Sequence, residues 1–291
     1  MANDILIPGN KEMDGGTETT AVFFKGQWLR LETVRIGQIN SLHPDVPHAQ
    51  IRNLDDNSIV CTCMHGFWLQ HAFVWKDWFY IFGTDYYGIW MTRSFDLYEW
   101  SKPQLVFNSE NSTEIHYQNN SIVWNGEYFV MAVDLLGGPY SFTICFAKSN
   151  DLVEWHYIPG AIYRPHMYTS CPVLQYCDGW YYLFHCRGIE KWLFEPYVAR
   201  SRDLLVWEDS PNNPILTPDT SEILPAAKKD DDKIYRVCNA SDLFVYERDG
   251  KTIGYYHIGT QTAGSIGYLK RADYDGPISD FFKELFEPKK P

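Results

Sequence analysis

Three carboxylates, Glu18, Glu195 and Asp242, are the residues of this 291-residue chain best suited to acid–base work. Two carboxyl groups that face each other, one protonated and one ionised, can deliver a proton to a leaving oxygen and assist attack at the carbon it leaves. Glu18 follows Gly15-Gly16-Thr17, and paired glycines suit backbone pressed close to a ligand or a neighbouring element. Glu195 ends a long polar stretch beside Trp192 and Phe194, an apolar setting of the kind that raises a carboxyl pKa and makes a general acid. Asp242, in Asn239-Ala240-Ser241-Asp242, leads into an apolar run; it reads as a base or nucleophile, or as an Asx turn opening a strand.

Further polar groups could hold a substrate. His71, Asn120, His185 and Gln261 offer hydrogen bonds, and Asp85 and Asp134 follow apolar strands at matching places. Arg187 could clamp an anionic group, and the Trp192 ring could stack on a flat ligand. Each has an ordinary alternative: a turn aspartate, a hydrogen-bonded histidine, an arginine paired with one of the many acids. The chain has no phosphate-binding glycine loop and no Cys-x-x-Cys pair, so neither a cofactor nor a metal is expected.

The elements that must position these groups announce themselves by repetition. Ser94-Phe95-Asp96-Leu97-Tyr98-Glu99-Trp100 recurs as Ser149-Asn150-Asp151-Leu152-Val153-Glu154-Trp155 and as Ser201-Arg202-Asp203-Leu204-Leu205-Val206-Trp207. The spacings are 55 and 52 residues. Here the Asp holds a turn through backbone amides while Leu and Trp supply buried area. A second marker is a tight turn between an apolar and an aromatic strand, at Gly26, Asp77, Gly126, Gly179 and Gly250, with spacings of 51, 49, 53 and 71 residues. Five hairpins at this period, the last delayed, predict an all-β, five-bladed β-propeller in one domain over 1–291. The blades are placed at about 14–60, 61–112, 113–165, 166–216 and 236–277, with a surface insertion over 208–238. A short closing helix is expected over Ile278–Phe286.

Composition narrows the partners. Aromatics make up 16% of the chain, which suits strands and, where exposed, stacking on sugars. A net charge of −12 argues against nucleic acid or an anionic membrane surface. Seven cysteines and an N-terminus without a basic and apolar leader pattern predict free thiols in the cytoplasm.

The triple turn motif and the fivefold hairpin resemble the five-bladed glycoside hydrolases of the arabinanase/β-xylosidase and invertase type. Gly15-Gly16-Thr17-Glu18, Phe194-Glu195-Pro196-Tyr197 and Asn239-Ala240-Ser241-Asp242 with Gly259-Thr260-Gln261 resemble a less characterised branch of them. The chain departs from the arabinanase type where an Asp-Pro opens an early inner strand: His71-Ala72 and Asn120-Ser121 stand at the matching places. The resemblance implies a glycosidase acting on short oligosaccharides or small glycosides through paired carboxylates. Glu195 is then the acid and Asp242 or Glu18 the base or nucleophile. A glycoside phosphorylase and a non-catalytic sugar-binding propeller are the alternatives.

Overall fold

The computed structural model describes residues 5–36, 43, 45–108, 115–137, 142–190, 193–217, 224–225, 236–237, 239–259 and 267–288. It has the expected architecture, five four-stranded antiparallel sheets arranged as a propeller. Blade I comprises β2 (Thr17–Phe24), β3 (Gln27–Val34), β4 (His48–Asn53) and β5 (Ile59–Cys63). Blade II comprises β6 (Trp68–Trp75), β7 (Trp78–Thr84), β8 (Gly88–Ser94) and β9 (Gln104–Asn108). In blade III these strands are β10 (His116–Trp124), β11 (Phe129–Leu136), β12 (Thr143–Ser149) and β13 (His156–Tyr163). Those of blade IV are β14 (Thr169–Cys177), β15 (Trp180–Glu190), β16 (Leu193–Ser201) and β17 (Glu208–Asp209). Blade V holds β20 (Ser241–Arg248), β21 (Lys251–Gly259) and β22 (Gly267–Tyr274), and its outermost strand is β1 (Ile7–Asp14), from the other end of the chain.

Local chemistry explains the repeat. The tight turns join the first and second strand of every blade. At Lys25-Gly26, Asp178-Gly179 and Asp249-Gly250 both turn residues have positive φ, the conformation that a two-residue hairpin of matching twist requires. The three Ser-x-Asp-Leu-x-x-Trp motifs follow the third strands β8, β12 and β16. In the first, Asp96 Oδ1 accepts the Tyr98 and Glu99 amides at 2.8 and 2.9 Å, and Trp100 Nε1 donates to Leu97 O at 3.2 Å. The other two copies repeat these bonds. The motif is scaffold, as its turn chemistry suggests.

Each blade junction has its own apolar core, so five interfaces share the burial that one globular core would otherwise concentrate. The seam between blades I and V, where the chain closes on itself, also carries a buried ionic network. Glu32 accepts Arg30 Nε at 2.9 Å through one oxygen, and Gln50 Nε2 at 3.1 Å and Arg52 Nε at 3.0 Å through the other. Arg30 reaches on to Met13 Sδ of β1 at 3.0 Å, which ties the last blade to the first.

Two features of the C-terminal third differ from the sequence reading. The stretch expected to be a surface insertion from Glu208 opens with β17, the fourth strand of blade IV, and continues into buried Ile215 and Leu216. Asn212 there caps the helix α1 (Ile278–Leu285), its Nδ2 donating to the carbonyls of Glu284, Leu285 and Glu287 at 2.8–3.1 Å. The helix packs Phe281, Phe282 and Leu285 against blades IV and V. Leu224–Pro225 and Arg236–Val237 form a separate two-stranded ribbon (β18, β19).

The six described cysteines are free thiols; Cys238 lies outside the described residues. Among the described residues no helix is long and apolar enough to cross a membrane.

Candidate active site on the propeller axis

Every inner strand starts with the same irregularity. Between Thr17 and Thr20, Trp68 and His71, Tyr117 and Asn120, Ser170 and Val173, and Ser241 and Phe244, the strand carries one residue more than its partner. Such bulges re-aim side chains and recur next to functional sites. In four blades the bulge holds a non-glycine residue at positive φ: Glu18 at 43°, Leu69 at 52°, Cys171 at 55° and Asp242 at 55°. That conformation is costly for any residue with a Cβ and persists where the surrounding structure imposes it.

All four residues line one small cavity at the axis, together with Gln70, His71, Asn119 and Asn120. Glu18 and Asp242 face it from adjacent blades. Both carboxyls are buried, and each is the charge of a residue that begins an inner strand. Arg35 holds Glu18 through Oε1 and also donates to Thr17 Oγ1 at 3.2 Å. Glu18 Oε2 is buried without a hydrogen-bond partner. Burial pushes the Glu18 carboxyl up to about 7; the Arg35 guanidinium pulls it down, and the negative charge of Asp242 pushes it up again. A buried carboxyl that carries its proton near neutral pH beside a second carboxyl is the arrangement of a general acid and its partner.

Asp134 supplies a third carboxyl, from β11. It accepts Ser170 Oγ at 2.7 Å, the Cys171 amide at 3.0 Å and Asn119 Nδ2 at 3.3 Å, yet burial outweighs these bonds and lifts it to about 6. His71 lines the same cavity, its Nδ1 3.4 Å from Thr20 Oγ1, and burial holds it down to about 4, so the ring is neutral at pH 7. Asn120 donates to Leu69 O at 3.3 Å and keeps Oδ1 without a partner.

The other residues expected at the site lie elsewhere. Glu195, on the third strand of blade IV, pairs across the sheet with Arg187. Partial burial raises its carboxyl and Arg187 lowers it; neither Glu18 nor Asp242 acts on it. Arg187 in turn lies over the Tyr197 ring at 5.2 Å. His185 is buried between blades III and IV, where its Nε2 meets Tyr163 OH at 3.1 Å, and burial holds it down to about 3. Asp85 caps a turn, accepting the Tyr87 and Gly88 amides at 3.0 and 3.1 Å. Trp192 and Gln261 are outside the described residues. Gln70, Asn119 and Cys171, which precede inner strands, also line the cavity, and Arg35 is the partner of Glu18. Among the described residues no three His, Cys, Asp or Glu side chains are arranged to hold a metal ion.

No protein-family model matches the chain, and no curated protein matches it by sequence. Solved structures do. The family 43 glycoside hydrolase BlXynB of Bacillus licheniformis superposes with a TM-score of 0.59 at 17% identity, over 92% of this chain and 53% of its own. The α-L-arabinanase of Cellvibrio cellulosa, complexed with arabinohexaose, gives 0.56 at 16% identity over 90% and 92%. The family 32 β-fructofuranosidase of Bombyx mori gives 0.59 at 11% identity over 91% and 61%. The chain therefore has the fold of five-bladed propeller glycoside hydrolases, the fold its repeats resemble. At these identities the likeness speaks for fold alone.

Proposed function

We propose that the protein is a glycosidase whose catalytic pair is Glu18 and Asp242, working on a short oligosaccharide or small glycoside that enters the axial cavity. The observation that carries this reading is Glu18: buried, tethered by Arg35 through one oxygen, and presenting its other oxygen to a cavity that Asp242 also lines. In the reaction Glu18 gives its proton to the glycosidic oxygen as the bond to the anomeric carbon breaks. Asp242 meets the positive charge that develops on the sugar ring, either as the base for an attacking water or as the nucleophile. Asn119 and Asn120 each present a buried carbonyl oxygen without a partner, suited to sugar hydroxyls. Glu195, half-buried and paired with Arg187, is better placed at the rim than at the bond being cleaved. The glycosidases among the structural neighbours support the reaction class.

A panel of aryl glycosides spanning pentoses and hexoses of both anomers tests the reading. Release of the aryl alcohol from one of them is expected, at a rate indifferent to added phosphate, and the first anomeric proton signal of the product gives the stereochemistry. Turnover of no glycoside in the panel would contradict it, and turnover that requires phosphate would replace hydrolysis with phosphorolysis.

A further inference from the structure

One side chain in the cavity has no part in the pairing of carboxyls. Cys171 occupies on β14 the bulge position that Glu18 occupies on β2 and Asp242 on β20, and it lines the same cavity. Its Sγ lies 3.7 Å from Asn119 Nδ2 and 3.5 Å from Ser170 Oγ, and its amide donates to Asp134 at 3.0 Å. The Cys171 thiol neighbours that of Cys186, whose sulfur accepts the Asp242 amide at 3.4 Å. Cys171 is part-buried and lines the cavity, whereas Cys186 is buried and does not. The buried oxygens of Glu18, Asn119 and Asn120 that have no hydrogen-bond partner surround the same space, which marks it as built to receive a polar ligand.

We propose that Cys171 is a substrate-contacting residue, the thiol member of the ring of side chains that includes Glu18 and Asp242, so that a sugar in the cavity and a covalent group on Cys171 exclude each other. The proposal rests on the reading of this cavity as a sugar site. A thiol is a weak donor and a polarisable, uncharged surface. It therefore gives the blade IV side of the cavity an uncharged contact for a hydroxyl or a C–H edge, beside the charged side made by blades I and V. A further carboxylate at this place would add repulsion to a site already holding Glu18, Asp134 and Asp242. The neighbouring Cys186 thiol, burial and the nearby carboxylates push the Cys171 thiol well up, so at neutral pH it is a protonated contact and reacts with thiol reagents only slowly, through the small thiolate fraction that alkaline buffer supplies.

Methyl methanethiosulfonate provides the test. The Cys171 sulfur attacks the sulfenyl sulfur, a new S–S bond forms, the reagent's S–SO2 bond breaks, and methanesulfinate leaves with the thiol proton. Labelling in mildly alkaline buffer is followed at each cysteine by peptide mass spectrometry, with and without each member of a panel of free monosaccharides at saturating concentration. At least one sugar should slow labelling of Cys171 about tenfold or more, the factor by which a site nine-tenths occupied is protected. Cys177, roughly 20 Å away at the other end of the same strand, should label at an unchanged rate. Dithiothreitol should remove the label and restore whatever glycosidase activity labelling abolished. Cys171→Ala should raise KM about fivefold with kcat changed less, as expected for one lost hydrogen bond, and Cys171→Ser should recover most of it. Labelling that proceeds equally fast with every sugar, or complete labelling with activity intact, overturns the proposal. If glycosides are hydrolysed but no sugar protects Cys171, this inference fails and the glycosidase reading stands. Protection without hydrolysis leaves the contact in place and removes the reaction.

Discussion

Glu18→Gln and Asp242→Asn should each lower kcat/KM by about 10²- to 10⁴-fold, the usual contribution of a positioned acid or base. Both substitutions keep the shape of the side chain, and both sites are buried at strand starts, so the far-ultraviolet spectrum and thermal transition should stay close to the parent's. The double variant should be little worse than the poorer single one, because the two groups act on one transition state as a unit. The pH profile carries a second signature. Glu18 must be protonated to act as acid, so activity of the parent should fall as pH rises through about 7. Glu18→Gln cannot lose that proton, so its residual activity should lack this alkaline limb. Glu195→Gln should cost far less, since Glu195 answers to Arg187 and not to the axial pair. Near-full activity in both axial variants, or a loss confined to Glu195→Gln, would move the chemistry to the rim.

Glu32→Ala should be the most destabilising single change at the closing seam, by about 3–5 kcal/mol, because it removes the buried carboxylate that Arg30 and Arg52 share. Arg30 is almost fully buried, and Met13 Sδ, Asn57 Oδ1 and the Tyr255 ring beside it are neutral. Because this network joins β1 to blade I, its loss should loosen the blade I–blade V seam before the other four junctions. Hydrogen exchange should therefore report faster opening of β1 and β22 than of β10 or β14. The same seam aligns Glu18 with Asp242, so activity should fall at temperatures where the rest of the ring is still folded. Replacing Arg30, Glu32 and Arg52 together with apolar residues should recover much of the stability, as the cost lies in the stranded charges. A thermal transition unchanged by Glu32→Ala would show that the network is inert.

The ring was legible in the sequence because propeller blades are local: hairpin turns and Asp-Leu turns each depend on a few consecutive residues. What escaped was set by contacts between distant parts of the chain. β1 has no partner within its own neighbourhood and pairs with β22, more than two hundred residues on. The stretch after Glu208 looks like loop because its burial depends on α1, which comes seventy residues later. The catalytic candidates divide along the same line. Glu18 and Asp242 were visible as openers of inner strands, whereas the apolar neighbours of Glu195 suggested a raised pKa without fixing where its carboxyl lies. Cys171 was within reach. Counting back eight residues from the hairpin positions Gly26, Asp77, Gly126, Gly179 and Gly250 gives Glu18, Leu69, Gln118, Cys171 and Asp242. In four of these blades that residue is the one at positive φ beside the cavity; in blade III, with its longer turn, Asn119 lines the cavity instead. A repeat read for its scaffold also registers its site, once the bulge is known.

The central claim, that Glu18 and Asp242 form one acid–base pair across the seam, is tested most directly by titrating the Glu18 carboxyl. Carbon-13 spectra of protein labelled at glutamate side-chain carboxyls, with Glu18→Gln for assignment, give its pKa in the parent and in Asp242→Asn. The pair predicts a midpoint near 7 in the parent that falls when the Asp242 charge is removed. A midpoint near the ordinary 4.5 that Asp242→Asn does not move would show two independent carboxylates and contradict the account.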